Sequence, residues 1–464
     1  MTFWQILSVV LFCVLTGSYT WGMRGTIIGG ERGAMLPGAA LALALLHAGG
    51  SVPVASAFPM AVSIGAAGMF FGGSQTYGET IGMTRDEDRF TRLFARVGLA
   101  VKGAGWFGIF GGLFGLGVGA MAGRLALWET ILFVVLLPVV KWMGILLLNT
   151  PYSPKKNKFP KIYFSRSRFE HWGGIAFVVL YILAFSFVKK EWLAVLMTCA
   201  GFLFGALGFV LGNGCQNYAD KHLPASWIGG WKWMECVFGG FGGMGVALAW
   251  CLFYGSAVRQ YAFEITAHSG AWAPFSEKTN TLLAFVWLIL LALYSARYLF
   301  RPDKGIGKEL MRLEDLFIWP VFCYVPLFLG FTGNAFFGQL FSSFILVYTL
   351  AERITYGDRK RYDAVGGAGV MQGVLFVLAS AILAVQLFTR VQFSAYMLWF
   401  LMLSVYLLAE LYIAMDPVHL PARVRQSGSV PAVLSALGSH RSWLLYACVC
   451  VTVLLIWGKS YFTI

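Results

Sequence analysis

Two stretches of this chain put the same polar side chains at the end of an apolar run. Residues 65–79 read GAAGMFFGGSQTYGE, and residues 205–220 read GALGFVLGNGCQNYAD. With Asn213 taken as an insertion, both become a glycine-spaced run followed by G-[SC]-Q-[TN]-Y-[GA]-[ED]. A weaker third copy, ITYGD, covers residues 354–358. The recurring positions are Gln75 and Gln216, then Asn217, then Tyr77, Tyr218 and Tyr356, then Glu79, Asp220 and Asp358. Amides and phenols both donate and accept hydrogen bonds, so they suit a polar solute, and the acids suit a cation or a proton. A plainer reading stays open beside this one. Tyrosine also anchors helices at headgroup level, and the acids can cap the next helix or pair with Lys221 or Arg359.

A second cluster has no counterpart elsewhere in the chain. Residues 21–38, WGMRGTIIGGERGAMLPG, set Arg24, Glu31 and Arg32 among glycines. Bare backbone beside arginine can approach and grip an anionic group. The alternative is a short basic loop with one internal ion pair. Lys102 and Lys232 occupy matching places at the starts of glycine-rich runs, where lysine ordinarily extends its ammonium to water. Lys232 and Glu235 stand three apart, the spacing of a local helical pair. No P-loop pattern, activated-serine motif or paired histidine spacing is present, so neither a nucleotide, a metal nor another cofactor is expected.

The elements that must position these groups are membrane helices. The 464 residues are 58% hydrophobic and only 12% charged, where a soluble domain is nearer a quarter charged. Long apolar runs follow one another with short polar gaps, and about 20 apolar residues cross a hydrocarbon core as a helix. Barrel strands would alternate instead. The expected fold is all-α and polytopic, with about fourteen spans, the first of them at the N-terminus. The motif copies divide the chain into three parallel four-helix units, residues 1–124, 125–254 and 255–388, with a helix pair over 389–464. Glycine is frequent at 55 residues, which lets such helices approach closely. The eight cysteines show no metal or redox spacing and read as small apolar residues.

Lysine and arginine collect in alternate loops, above all residues 151–171. The positive-inside rule places those loops in the cytoplasm and both termini outside, in a cell (inner) membrane. The net charge of +14 then reflects this bias and an attraction to anionic membrane lipids. No basic domain stands clear of the membrane, so nucleic acid is not an expected partner. Internal repeats with glycine-broken helices and polar groups at matching places are the pattern of a transporter or channel for a small polar solute. On that reading Gln75, Gln216 and the tyrosines ring one central path, and sugars or amino acids would suit the amide and aromatic groups. The competing reading is a membrane-embedded transferase acting on a lipid-linked substrate, which the arginine-glycine segment would serve.

Overall fold

Leucine, valine, phenylalanine and glycine in unbroken runs leave the backbone one way to pair its polar groups away from water, the helix. The computed structural model describes residues 2–24, 30–48, 58–150, 161–223, 230–253, 275–296, 314–334 and most of 336–348. In chain order the helices are α1 (Phe3–Arg24), α2 (Gly30–Ala48), α3 (Phe58–Gly72), the short α4 (Gly78–Met83) and α5 (Arg89–Met121). They continue as α6 (Leu127–Leu148), α7 (Trp172–Lys189), α8 (Trp192–His222), α9 (Gly230–Phe253) and α10 (Glu277–Ala296). Then α11 (Glu314–Trp319) passes through a π-turn, Pro320–Tyr324, into α12 (Val325–Phe331). Pro320 and Pro326 each lack the amide hydrogen an α-helix would use, which is why this span is irregular.

Among the described residues, seven helices are long and apolar enough to cross a membrane: α1 and α5 to α10. The expected spans beyond residue 348 lie outside the described residues, as does the third motif copy with Tyr356 and Asp358.

α5 is the axis of the bundle. Asp88 starts it by accepting the Thr91 amide at 2.7 Å, and from Gly98 onward nearly every residue is buried. It packs most extensively on α8, and further contacts come from α3 and α7. Glycine makes the α5–α8 approach possible. A Cβ on Gly103 would fall 2.3 Å from the Gly205 carbonyl oxygen, and one on Gly205 would fall 2.3 Å from the Gly103 oxygen. On the far side α9 packs against both α8 and α1. α6 lies at the periphery, presenting Trp128, Leu132, Val135, Val139 and Trp142 outward. That spacing of three and four is a single helix face, here turned away from the bundle.

Both ends of the bundle carry ion pairs. At one end the Arg124 Nε donates to the buried Glu191 at 2.8 Å, and Lys189 pairs with Glu129. The other end, where α1, α3, α6 and α8 finish, holds Arg85, Arg89, Arg92, Arg96, Arg166 and Arg168, and is called the basic end below. Charge asymmetry predicts which end faces the cytoplasm. With Cys199 and Cys215 replaced, a Glu87→Cys protein is expected to react with an impermeant maleimide only from the cytoplasmic side. Lys278→Cys is expected to react only from outside. Labelling from the reverse sides would invert the topology.

Candidate functional site

At the basic end the first motif copy leaves the helix. α3 stops at Gly72, and the Gly73 amide bonds back to Met69 and Phe70. Neither glycine tolerates a side chain, because a Cβ would meet Trp106 at 2.7 Å from Gly72 and at 2.9 Å from Gly73. The turn swings Gln75 inward, where its Nε2 donates to the carbonyls of Gly72 at 3.0 Å and Lys102 at 2.8 Å. Its Oε1 is buried without a hydrogen-bond partner. Tyr77 follows at the start of α4, and its hydroxyl accepts from Arg24 at 2.9 Å. Loss of water pushes the Tyr77 phenol above its ordinary range, against the pull of Arg24. It stays a neutral hydroxyl with its own proton left to donate.

Arg24, the last residue of α1, organises this corner. It is 1% exposed. Its guanidinium lies between the rings of Trp21 and Trp106, 4.8 Å from each centroid. Nε and Nη2 fork onto the Gly30 carbonyl at 3.3 and 2.8 Å, joining the end of α1 to the start of α2. Nη1 also lies 3.6 Å from Glu235 of α9, whose carboxylate accepts from the Trp231 indole at 3.0 Å. The ion pair expected inside residues 21–38 is therefore replaced by one across the bundle. Of the residues expected to pair as Lys232–Glu235, Lys232 donates to the Gly22 carbonyl, while Glu235 faces Arg24 and the Trp231 indole. Arg32 points elsewhere again, onto the Tyr294 hydroxyl at 2.9 Å.

A second buried pair sits behind Gln75. Lys102 does not reach water as expected; it is completely buried. Its ammonium meets Glu170 Oε1 at 2.7 Å and Thr80 Oγ1 at 2.7 Å. The other Glu170 oxygen accepts the Phe164 amide at 2.7 Å. Glu79 holds the same segment from outside by accepting from the Ser167 amide and hydroxyl, each at 3.0 Å. Partial burial raises the Glu79 carboxyl, but these hydrogen bonds outweigh it and hold the group below its usual range. Together Glu170 and Glu79 dock residues 161–171 against the first motif copy.

Between these parts lies a cavity of about 550 Å³. Glu31 lines it from α2, Gln75 and Tyr77 from the first motif copy, and Arg168 and His171 from the docked segment. Trp231 of α9 and Trp319 of α11 complete its aromatic side. Burial, and then the Lys141 charge, push His171 down to about 4, so it is neutral at physiological pH. Lys141 itself stands 3.3 Å over the ring of Trp319. Glu31 makes no ion pair or hydrogen bond among the described residues.

No known family, curated protein or solved structure matches this chain. The chemistry of the cavity therefore has to speak for it. It offers one carboxylate, one guanidinium, a neutral imidazole, an amide, a phenol with a spare proton and two indoles. Such a lining recognises a polar organic molecule by hydrogen bonds and ring contact.

The second motif copy takes a different course. α8 runs unbroken through it to His222, so its side chains follow helical spacing rather than a turn. Gln216 is buried and accepts from the Asn213 amide at 3.4 Å, and it does not line the cavity that holds Gln75. Asn217 accepts from the Arg85 Nε at 2.6 Å, Asp220 pairs with Arg85, and Tyr218 is 62% exposed. The expected shared ring of Gln75 and Gln216 thus becomes one inward corner and one outward helix face. Of the residues singled out from sequence, Glu31, Gln75 and Tyr77 come together, with Arg24 directly behind Tyr77. His171, Arg168, Trp231 and Trp319 were missed. One signal pointed their way: Glu170 is the single acid of a strongly basic loop, and a lone acid there implies a buried cation to receive it.

Proposed function

We propose that the protein is a multi-pass transporter or channel of the cell membrane that moves a small polar solute. The observation that carries this is the cavity at the basic end, lined by Glu31, Gln75, Tyr77, His171, Trp231 and Trp319. Beside it Trp21 and Trp106 meet edge to face with centroids 4.7 Å apart, Phe238 packs against both, and Phe107 packs against Trp21. A cavity at one end of the bundle beside a packed aromatic cluster suits alternating access. Glu31 and the spare acceptor of Gln75 favour a solute rich in N–H or O–H donors. The three-unit, fourteen-span architecture with both termini outside belongs to this proposal. In it the first unit contributes the binding corner, and the second has diverged.

A membrane-embedded transferase is the second reading, favoured by Arg168 and Glu31 lining the same cavity. Arginine there could hold a phosphate while the carboxylate takes a proton. Proteoliposomes separate the two, because a transporter accumulates an unmodified solute and a transferase returns a new compound.

The transport reading is tested by screening polar solutes for thermal protection of the purified protein, then measuring uptake of those that protect. Glu31→Gln and Tyr77→Phe are each expected to lower uptake roughly tenfold or more, the loss of one hydrogen bond to a charged or buried group. Glu31→Gln should melt as the wild type does, because Glu31 supports no other side chain. Wild-type uptake in both variants would remove the cavity from the transport path.

A further inference from the structure

Two helices are longer than a bilayer requires, and both overhang at the same end. α5 has 33 residues and α8 has 31, against about 20 needed to cross the hydrocarbon core. The surplus of α5 reads RFTRLFARV from Arg89, and that of α8 reads NGCQNYADKH from Asn213. Neither belongs among acyl chains, so both lie at headgroup level, and Arg85, in the turn before α5, donates to Asn217 of the α8 overhang. On α5, Arg89, Arg92 and Arg96 form one stripe, and Phe90, Leu93 and Val97 form the adjacent exposed stripe. Charge beside outward apolar side chains is the pattern of a surface that meets an anionic membrane.

Where the two overhangs meet α9 there is a second cavity, of about 680 Å³. Arg96, Asn213, Asn217, Tyr218 and Trp233 line it, over a floor that includes Leu211. Arg96 is exposed and makes no ion pair among the described residues. The indole Nε1 of Trp233 is buried without a hydrogen-bond partner. A guanidinium, an indole and two amides are among the lining residues, and no acid is. From this cavity Leu211, Leu207 and Leu203 run up the outer face of α8 at intervals of four, each more than 40% exposed.

We propose that this groove is a specific site for an anionic phospholipid, with the phosphate at Arg96 and Trp233 and the acyl chains along Leu203, Leu207 and Leu211. Arginine suits the phosphate because its planar fork can engage two oxygens at once. The leucine stripe selects a lipid over a free anion, since it adds apolar contact that only an acyl chain can use. On this assignment the second motif copy has exchanged an inward role for an outward one: Asn217 and Tyr218 border lipid, not solute. The proposal stands apart from the transport reading, because it uses no residue of the other cavity.

The test is native mass spectrometry of the full chain in detergent, titrated with short-chain phosphatidylglycerol, short-chain phosphatidylcholine and inorganic phosphate. Phosphatidylglycerol is expected to bind more tightly than phosphatidylcholine. Arg96→Gln should weaken it roughly fivefold, the contribution of one basic residue near an anionic surface. Trp233→Phe should weaken it as well, while Lys278→Gln at the other end of the bundle leaves it unchanged. Equal binding of the two lipids, or unchanged phosphatidylglycerol binding in either groove variant, would overturn the site. Displacement of phosphatidylglycerol by inorganic phosphate would overturn the lipid assignment in favour of a soluble anion.

Discussion

Glu170→Ala is expected to destabilise the protein by about 3–5 kcal/mol, the cost of leaving one member of a buried ion pair uncompensated. Among the described residues Lys102 has no other carboxylate in contact; its remaining close partner there is the Thr80 hydroxyl. Water cannot replace the lost charge, because Lys102 is completely buried and Glu170 is 1% exposed. The Phe164 amide also loses its acceptor. The damage reaches function through the chain, since Glu170 docks the segment that carries Arg168 and His171 into the cavity. Lys102→Met should be about as harmful for the reciprocal reason. The double variant Lys102→Met/Glu170→Gln leaves no bare charge and still offers Phe164 an acceptor, so it should recover most of the loss. Thermal melting of the purified proteins measures all three. Single variants that melt like the wild type would mean that water reaches the pair, and additive losses in the double variant would mean that the two residues do not interact.

Arg24→Ala is expected to have an effect of the same size, about 3–5 kcal/mol. It takes the guanidinium away from the buried Glu235 and leaves the Tyr77 hydroxyl and the Gly30 carbonyl without the donor that Arg24 supplies. The more telling variant is Arg24→Lys. A lysine keeps the charge, but one ammonium cannot serve Gly30, Tyr77 and Glu235 together. Nor can it lie flat between Trp21 and Trp106 as a guanidinium does. Arg24→Lys should therefore melt between the alanine variant and the wild type. It should also lose uptake, because Tyr77 no longer has the contact that fixes its place in the cavity. Arg24→Gln/Glu235→Gln should regain stability without regaining uptake. Wild-type stability in Arg24→Lys would show that charge alone matters and that the fork and the ring sandwich do not.

These two pairs also mark where sequence reading stops. Lys102 and Lys232 occupy equivalent places in similar glycine-rich runs, and nothing local separates them. Lys102 is buried because Glu170, 68 positions later, folds back to meet it; Lys232 instead donates to the Gly22 carbonyl. Arg24 shares a short segment with Glu31, yet its counterion is Glu235 on a helix that arrives more than two hundred residues later. The local pairing rule for residues three apart chose Lys232 for Glu235. It lost to a cation that brings five donors and two aromatic faces to stack between.

What the sequence alone determined is the class of structure and the identity of the chemistry. Apolar runs of membrane length compel helices, because a backbone in lipid must pair its own polar groups, and the helices α1 and α5 to α10 follow those runs. Abundant glycine announced that helices would approach closely, without saying that α5 and α8 would be the pair, and the Gln-x-Tyr motif marked the corner that holds Gln75 and Tyr77. Tertiary structure alone decided what each copy of the motif became. Gly72 and Gly73 lie against Trp106, which the chain can approach only by leaving the helix, and so Gln75 turns inward. α8 meets no such ring at Gly212 and stays helical, so Tyr218 turns outward. The physical reason is range. Helix formation depends on neighbours within a turn or two, whereas the fate of a motif depends on which distant side chain packs against its glycines.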